Sequence, residues 1–210
     1  MARCVIIGAG ELDADFLSDF SWREDDYIIC ADGGLYHAQQ AGIRPDLLIG
    51  DQDSFVEGFP KGIPALTCRP EKDDSDTQSA VNFAIDRGAK NITIFGATGN
   101  RIDHLLANFG LLVLGRERDA DITLIDQWNY MKLVESGTVL KKKEQFGKYV
   151  SFFSLEGDMP GLTLVGFKYP LDHYHLRVSD SGLTVSNEIE AEEAVVSFDG
   201  KYLLMLMTRD

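Results

Sequence analysis

The chain has 210 residues, of which 44% are hydrophobic, and its formal net charge is −14 at pH 7. This length allows one large domain or two small ones with a real core, and so acidic a chain argues against a nucleic-acid partner. No segment approaches the roughly 18 apolar residues of a membrane span, and the N-terminal apolar run is too short for a signal peptide. The three cysteines have no CxxC spacing, which argues against a zinc site or a disulfide framework. Together these features predict a protein of the reducing cytoplasm with no membrane segment.

Up to about residue 130, short β-branched runs alternate with helical patterns. The strand-like runs are CVIIG, YIICA, LLIG, ALTC, NITIF and DITLI. Near-continuous apolar runs of this kind are typical of parallel strands that are covered on both faces. Because strands and helices alternate, the sequence predicts an α/β domain with a mostly parallel sheet over residues 1–132.

Two helices of this half have patterns that can be analysed individually. Ser75 is placed to cap the first helix, and Gln78, three residues later, completes a capping box. Gly88 supplies its stop. Its predicted buried stripe comprises Thr77, Ala80, Val81, Ala84 and Ile85. The second helix follows GATGNR, and its predicted buried face comprises Ile102, Leu105, Leu106, Phe109, Leu112 and Val113.

After about residue 135 the pattern changes to short strands separated by Gly, Asp and Pro turn signals. The predicted strands are KYVSFFSL, GLTLVGFKY, HLRV, GLTVSNEI, AVVSFDG and KYLLMLMT. This spacing predicts an all-β antiparallel sandwich domain over residues 133–210. The lysine run 141–143 is interpreted as a solvated turn.

Polar clusters follow the predicted parallel strands, where an open α/β sheet binds its ligands. ADGG follows YIIC, GDQDS follows LLI, EKDDSDT follows ALTC, and GATGNRIDH follows NITIF. These ends bring a set of acids toward one rim: Asp32, Asp51, Asp53, Asp73, Asp74, Asp76 and Asp103.

Clustered aspartates without interleaved His or Cys favour a hard cation, above all Mg²⁺. Asp51 and Asp53 point to the same side of an extended chain, and Asp76 from a helix N-terminus can join them. The predicted role of this site is to hold a polyphosphate, with Lys72 and Arg101 as a clamp on the phosphoryl oxygens. Glycines in ADGG and GATGN allow backbone amides to approach the phosphates.

Simpler interpretations of several residues stay open. Asp76 is also favoured by the helix dipole alone, and Asp32 before two glycines also fits turn chemistry. Asp73 and Asp74 are interpreted as solvated loop charges, and His104 as a packing or hydrogen-bonding residue at a helix start. IIGAGELD lacks a full GxGxxG, which argues against a nicotinamide site.

Taken together and in this order, ADGG, GDQDS, DDSDT and GATGNRIDH resemble the thiamine pyrophosphokinase family. GLTLVGFKYPL and SNE in the second half resemble that family's C-terminal domain, so the resemblance spans nearly the whole chain. It implies a homodimer with an α/β domain that binds Mg-ATP and a β-sandwich that helps to form the thiamine pocket. The implied reaction moves the pyrophosphoryl group of ATP to thiamine, giving thiamine diphosphate and AMP.

The resemblance also implies roles for individual residues. The residues that it implies as ATP contacts are Asp32, Gly33, Lys72, Asp76, Thr98 and Arg101. The implied metal ligands are Asp51, Asp53 and Asp76, and the implied thiamine contacts are Asp103, Thr184 and Asn187. The implied catalytic residues are Asp51, Asp53, Asp76, Arg101 and Asp103.

The sequence departs from the family pattern at Asn100, where a second glycine is usual, and at Gln78 and Ser79. These departures concern fine nucleotide contacts and leave the acids untouched. Two alternatives remain at this point: a sugar-nucleotide glycosyltransferase that uses an Asp-x-Asp pair, and a non-catalytic sensor of nucleotide or thiamine. The density of acids favours chemistry over sensing.

Overall fold

The computed structural model describes residues 3–50, 60–67, 74–180 and 182–210. The chain divides into two compact units, Met1–Gln127 and Trp128–Asp210. Each unit has its own cluster of buried hydrophobic side chains. None of the helices in the described ranges is long and apolar enough to cross a membrane.

The first unit contains the strands that the sequence predicts, and they pair in parallel in the order β4-β3-β2-β1-β5-β6. The strand bounds are β1 Arg3–Ile7, β2 Asp26–Ala31, β3 Leu47–Gly50, β4 Ala65–Thr67, β5 Asn91–Phe95 and β6 Asp121–Ile125. The chain builds outward from β1 through β2, β3 and β4, and then returns to the other side of β1 with β5. The strand order therefore reverses between β1 and β5, and such a switch point is where open α/β sheets bind ligands.

The helices of this unit are α1 Ala14–Ser18, α2 Gly34–Gln40, α3 Asp76–Asp86 and α4 Ile102–Glu117. Ser75 caps α3 as predicted, because its side chain accepts a hydrogen bond from the Gln78 amide at 3.1 Å. The second half of the capping box is wrong: Gln78 Nε2 donates to Asp74 Oδ1 at 2.7 Å. A hydrogen bond to a charged carboxylate is stronger than one to a neutral group, which explains this choice of partner.

The predicted buried face of α4 is wrong at two positions. Ile102 and Leu106 have exposed fractions of 69% and 62%. The buried residues of α4 are Asn108, Leu111, Leu112 and Gly115. A Cβ on Gly115 would lie 2.6 Å from the Ile122 side chain, so this glycine lets the C-terminal half of the helix approach β6 closely. The helix therefore packs through its C-terminal half, and the apolar residues of its first turns stay outside the core.

The strands of the second unit form two antiparallel sets: β13 pairs with β7 on one side and with β9 on the other, and β11-β10-β12-β8 form a four-stranded sheet. A shared cluster of buried side chains from both sheets forms its core, and Phe152 of β9 meets Phe167 edge-to-face at 5.7 Å. A short 3₁₀ helix spans Lys142–Glu144. The strand bounds are β7 Asn129–Val134, β8 Thr138–Lys141, β9 Tyr149–Ser154, β10 Met159–Val165, β11 Leu171–Leu176, β12 Glu193–Ser197 and β13 Leu203–Thr208.

The sequence interpretation of this unit needs two corrections. Strands β7 and β8 were not predicted. The predicted strand GLTVSNEI is wrong, because the described residues from 182 to 189 form turns with isolated bridges at Asn187 and Ile189. Ser186 has a positive φ of 57°, which interrupts an extended strand.

Candidate active site

A cavity of about 630 Å³ lies at the switch point of the first sheet. Its lining comes from the loops after β1, β2 and β5 and from the first turns of α3 and α4. These loops meet because the carboxyl ends of parallel strands share one edge of the sheet. The predicted site residues that line it are Asp32, Asp76, Thr98 and Arg101. Asp74 and His104 also line it, although the sequence was interpreted as giving them a loop-charge and a packing role.

The loops after β1 and β5 touch along their backbones. The Gly8 amide donates to Phe95 O and the Gly10 amide to Gly96 O, both at 2.8 Å. A Cβ on Gly10 would lie 1.9 Å from Thr98 O, so only glycine fits there. The glycines of IIGAG thus allow the loops after β1 and β5 to approach each other closely. This explains why glycines occur here without a complete dinucleotide-binding fingerprint.

Asp32 stands at the tight turn from β2 into α2. Its φ is 52°, a conformation that Asp tolerates better than most residues, and its amide donates to Ile49 O at 2.9 Å. The half-buried side chain lines the cavity. A Cβ on Gly34 would lie 1.9 Å from Ile7 O, while Gly33 is the N-cap residue of α2 and does not line the cavity. The ADGG motif therefore brings one carboxylate to the switch point.

Two acids reach the cavity from the start of α3. Asp76 lies in the first turn of the helix, where the dipole favours its charge. Asp74 is half-buried rather than the solvated loop charge that the sequence indicated. Its Oδ1 accepts from Gln78 at 2.7 Å and its Oδ2 from Asn82 at 3.3 Å. Both oxygens of Asp74 therefore bond to its own helix, and Asp76 lines the cavity from the first turn of the same helix.

Arg101 and Asp103 form an exposed ion pair at the start of α4. Arg101 Nε lies 3.2 Å from Asp103 Oδ1, and Nη2 lies 2.5 Å from Oδ2. The hydrogen bond from Arg101 is the main cause that lowers the pKa of Asp103 to about 2, and the His104 amide adds to it. Arg101 lines the cavity and Asp103 does not. The pair therefore presents the Arg101 guanidinium to the cavity, with the Asp103 carboxylate bound to it outside the cavity lining.

Two cavity-associated residues were missed by the sequence analysis. Asn108 is buried on α4, and its Nδ2 donates to Ala97 O at 2.8 Å. Asp126, at the carboxyl end of β6, has an exposed fraction of 2% and accepts a hydrogen bond from Thr98 Oγ1 at 2.7 Å. Both side chains hold the loop after β5 in place. The rule that polar residues at strand ends mark the site applied to Asp126 as well, since it directly follows DITLI.

Asp51, Asp53, Asp73 and Lys72 lie outside the described residues. Within the described residues, no group of three or more His, Cys, Asp or Glu side chains could hold a metal ion. Asp32 and Asp76 nevertheless bring carboxylate oxygens, the donors that Mg²⁺ prefers, to one cavity. The donor chemistry of the cavity therefore fits a hard cation. Of the three predicted metal ligands, Asp76 lines the cavity, and Asp51 and Asp53 lie outside the described residues.

Thr184 and Asn187 are buried in the second unit, each with an exposed fraction of 2%. Thr184 Oγ1 donates to Phe152 O at 2.5 Å. The Asn187 side chain accepts from the amides of Tyr169 and Glu188 at 3.0 and 2.9 Å and donates to Tyr169 O at 2.8 Å. Both side chains thus fix the backbone of their own unit.

Replacing Asn187 with alanine is expected to lower the free energy of unfolding of the second unit by about 2 kcal/mol, because buried backbone groups lose their partners. Urea unfolding followed by intrinsic fluorescence measures the change. Asn91→Ala, at an exposed position that begins β5, is the control and should change stability by less than about 0.5 kcal/mol. Equal midpoints for Asn187→Ala and the unchanged chain would contradict the structural role.

A parallel sheet with a glycine-lined, acid-bearing cavity at its switch point is typical of the α/β enzymes that bind phosphorylated ligands. Comparison with known proteins defines the family. Residues 19–124 match the family model "Thiamin pyrophosphokinase, catalytic domain", and residues 137–203 match "Thiamin pyrophosphokinase, vitamin B1 binding domain". The chain belongs to the thiamine pyrophosphokinase family.

Individual relatives agree with this assignment. The thiamine pyrophosphokinase of Bacillus subtilis (strain 168) is 36% identical over 203 residues, which is 93% of this chain and 94% of that protein. The crystal structure of the Bacillus subtilis enzyme superposes with a TM-score of 0.87 at 30% identity, covering 99% of both chains. That of thiamin pyrophosphokinase from Geobacillus thermodenitrificans has a TM-score of 0.83 at 30% identity, covering 100% of this chain and 98% of that one.

Family membership confirms the resemblance read from the motifs and the predicted class of enzyme, an ATP-dependent diphosphotransferase. It does not favour a sugar-nucleotide glycosyltransferase or a non-catalytic sensor.

Proposed function

We propose that this chain transfers the pyrophosphoryl group of ATP to thiamine and releases AMP and thiamine diphosphate. The observation that carries the proposal is a cavity that brings Asp32, Asp76 and Arg101 to the switch point in a chain of this family. A cavity of about 630 Å³ is within the size range of small-molecule and cofactor sites. We assign residues 1–132 to ATP binding and catalysis, and residues 133–210 to a β-sandwich domain that binds thiamine.

The triphosphate of ATP is assigned to the cavity of the first unit. Arg101 would contact phosphoryl oxygens with its guanidinium, and Lys72 is the second proposed cation. The glycine-rich loops after β2 and β5, which include Gly33 and Thr98, would offer backbone amides to the nucleotide. This arrangement supports positioning as the main contribution of the chain, which is typical of phosphoryl transfer.

Asp51, Asp53 and Asp76 are proposed to hold Mg²⁺. When bound, the ion offsets the negative charge of the polyphosphate. Asp32 or Asp53 is proposed to accept the proton of the thiamine hydroxyl. The half-buried side chain of Asp32 in the cavity supports its inclusion.

The second substrate is a cation, and the chain is strongly acidic. A net charge of −14 favours the approach of the thiazolium ring over that of a neutral competitor. Asp103 is the proposed contact for thiamine beside Arg101. We infer that Thr184 and Asn187 shape the thiamine-binding domain through the backbone contacts described above. The reducing cytoplasm remains the predicted location.

Purified protein incubated with ATP, Mg²⁺ and thiamine, with products separated by chromatography, tests the function. AMP and thiamine diphosphate in equal amounts are expected, and both must depend on thiamine. ADP with thiamine monophosphate would overturn the pyrophosphoryl transfer. Binding of both substrates without product over a long incubation would overturn the enzymatic function itself.

Asp103→Asn is expected to raise the KM of thiamine about tenfold and that of ATP by less than about threefold. The charge that would face the thiazolium is lost, whereas an exposed ion pair with Arg101 contributes little to a phosphate contact. Two-substrate steady-state kinetics measures both constants. A larger change in the KM of ATP than in that of thiamine would mean that Asp103 acts in nucleotide binding, through Arg101.

The low pKa of Asp103 also leads to a prediction about how activity depends on pH. Folding lowers this pKa from 3.8 to about 2, so the stabilising effect of the pair is present above about pH 4 and is lost as the pH falls through 2. Asp103 therefore stays ionised throughout the pH range 5–9. The profile of kcat/KM against pH should keep its shape in Asp103→Asn and change only in height, and a shifted acidic limb would contradict this assignment.

We also propose that the protein is a homodimer, and one surface of the second unit supports this. Val165, Val195 and Val139 are successive register partners on β10, β12 and β8, so they form an apolar row on one face of the sheet. Val165 is 56% exposed and Val139 is 49% exposed. An exposed apolar row of this kind is typical of an interface.

Val165→Lys is expected to convert the dimer to a monomer, because a charge would be buried in the contact. Size-exclusion chromatography with light scattering measures the change from twice the chain mass to once. Val178→Lys, at an exposed position outside the row, should stay dimeric. A monomeric unchanged chain at micromolar concentration would overturn the proposal.

A further inference from the structure

The hydrogen bond between Thr98 and Asp126 has a fixed direction. Thr98 is half-buried and lines the cavity, whereas Asp126 is buried behind it at the end of β6 and does not line the cavity. Thr98 Oγ1 donates to Asp126 Oδ2 at 2.7 Å. An ionised carboxylate can only accept hydrogen bonds, and a threonine hydroxyl has one proton to give.

This direction determines what Thr98 can offer to a ligand. Once its proton points at Asp126, Oγ1 retains only its lone pairs for further contacts. A phosphoryl oxygen is also an acceptor, so the two oxygens would repel. A sugar hydroxyl or an exocyclic amine, in contrast, has a proton to donate.

We propose that Asp126 is a positioning residue that makes Thr98 an obligate hydrogen-bond acceptor, and that Thr98 thereby selects a hydroxyl or amino donor of the nucleotide rather than a phosphate oxygen. That the ligand is a nucleotide rests on the proposed function. The selection itself follows from the Thr98–Asp126 bond.

The loop that carries Thr98 is held on both sides, which supports a selective contact. Asn108 Nδ2 binds Ala97 O, and the Gly10 amide binds Gly96 O, both at 2.8 Å. Because the backbone is fixed before a ligand arrives, little ordering is needed on binding. A hydroxyl on a fixed loop discriminates better than one on a loop that can turn away.

Calorimetric titration with Mg-ATP and with analogues that each lack one donor tests the proposal. The analogues are the 2′-deoxy and 3′-deoxy nucleotides and purine riboside triphosphate, which has no exocyclic amine. One of them is expected to bind about five- to tenfold more weakly than ATP, as loss of one hydrogen bond implies. Thr98→Val should weaken ATP binding by a similar factor and bind that analogue no more weakly than ATP. Thr98→Ser, which keeps the hydroxyl, should retain the discrimination against that analogue.

Asp126→Ala tests the positioning role. Without the carboxylate the Oγ1 proton is no longer held away from the ligand, so Oγ1 can also donate, and discrimination against the same analogue should fall. Thr123→Val, which repeats the Thr98→Val change three residues before Asp126 on β6 and outside the cavity lining, is the control and should keep discrimination unchanged.

Three results would overturn the proposal. The first is full discrimination in Thr98→Val, and the second is full discrimination in Asp126→Ala. The third is an equal loss of Mg-tripolyphosphate and Mg-ATP binding in Thr98→Val, because that would place Thr98 on the phosphates. If Asp126→Ala fails to fold, the Thr98 variants alone decide. The unchanged chain's production of AMP from ATP and thiamine tests the proposed function separately, so the two failures are distinguishable.

Discussion

Asp76→Asn is expected to lower kcat for thiamine diphosphate formation by about 100-fold or more, the range seen when one preorganised electrostatic group is removed from an active site. Asparagine keeps the shape and one oxygen of the side chain but loses the negative charge. Asp76 lines the cavity from the first turn of α3, so its charge lies where the polyphosphate is proposed to bind. The fold should remain, with a loss of at most about 1 kcal/mol from the helix dipole.

Kinetics at several Mg²⁺ concentrations tests this assignment. Asp76→Asn should require more Mg²⁺ for half-maximal rate, because the charge that it removes is the proposed contribution to metal affinity. Asp86→Asn is the matched control: it changes the same residue type at the other end of α3, where Asp86 pairs with Arg118 at 2.7 Å on the surface. Near-full activity of Asp76→Asn at unchanged Mg²⁺, together with the same result for Asp51→Asn, would refute the proposed metal site.

The sequence predicted the first unit well because its signals are local and mutually consistent. Each strand is a short, nearly continuous apolar run, and a parallel strand buried on both faces requires such a run. The Ser75 cap was found for the same reason, since a cap depends on residues within one turn. The position of the cavity followed from the rule that ligands bind at the carboxyl ends of the strands.

The missed site residues depend on contacts between distant parts of the chain. Thr98 and Asp126 are 28 positions apart, and Asn108 contacts Ala97 only because α4 folds back beside the loop after β5. Spacing along the sequence does not reveal such pairs. The strand predicted over residues 182–189 was wrong for a related reason. The side chains of Thr184 and Asn187 bind the backbone oxygens of Phe152 and Tyr169, and these contacts between distant residues cannot be seen in the sequence pattern. The exposed Ile102 and Leu106 show that helical periodicity identifies a face but not what covers it.

Gly10→Ala is expected to lower the free energy of unfolding of the first unit by about 3 kcal/mol or more, at the upper end of the cost of overpacking. The added Cβ would lie 1.9 Å from Thr98 O and 2.5 Å from Gly96 O, and real Cβ atoms essentially never approach other heavy atoms below 3.0 Å. Both obstructing atoms belong to the backbone, so no side chain can turn aside. The loops after β1 and β5 would have to separate, which also breaks the Gly10–Gly96 hydrogen bond.

Because the same two loops line the cavity, Gly10→Ala should lose activity even at temperatures where it stays folded. Thermal unfolding and kinetics at a temperature well below the transition separate the two effects. Gly110→Ala is the matched control: Gly110 lies within α4, and an added Cβ would have no heavy atom within 4 Å. That substitution should stabilise the chain by up to about 1 kcal/mol through helix propensity and leave the kinetics unchanged. A Gly10→Ala variant with normal stability and normal turnover would show that the two loops need not touch for the site to work, and the cavity described here would then not be the catalytic one.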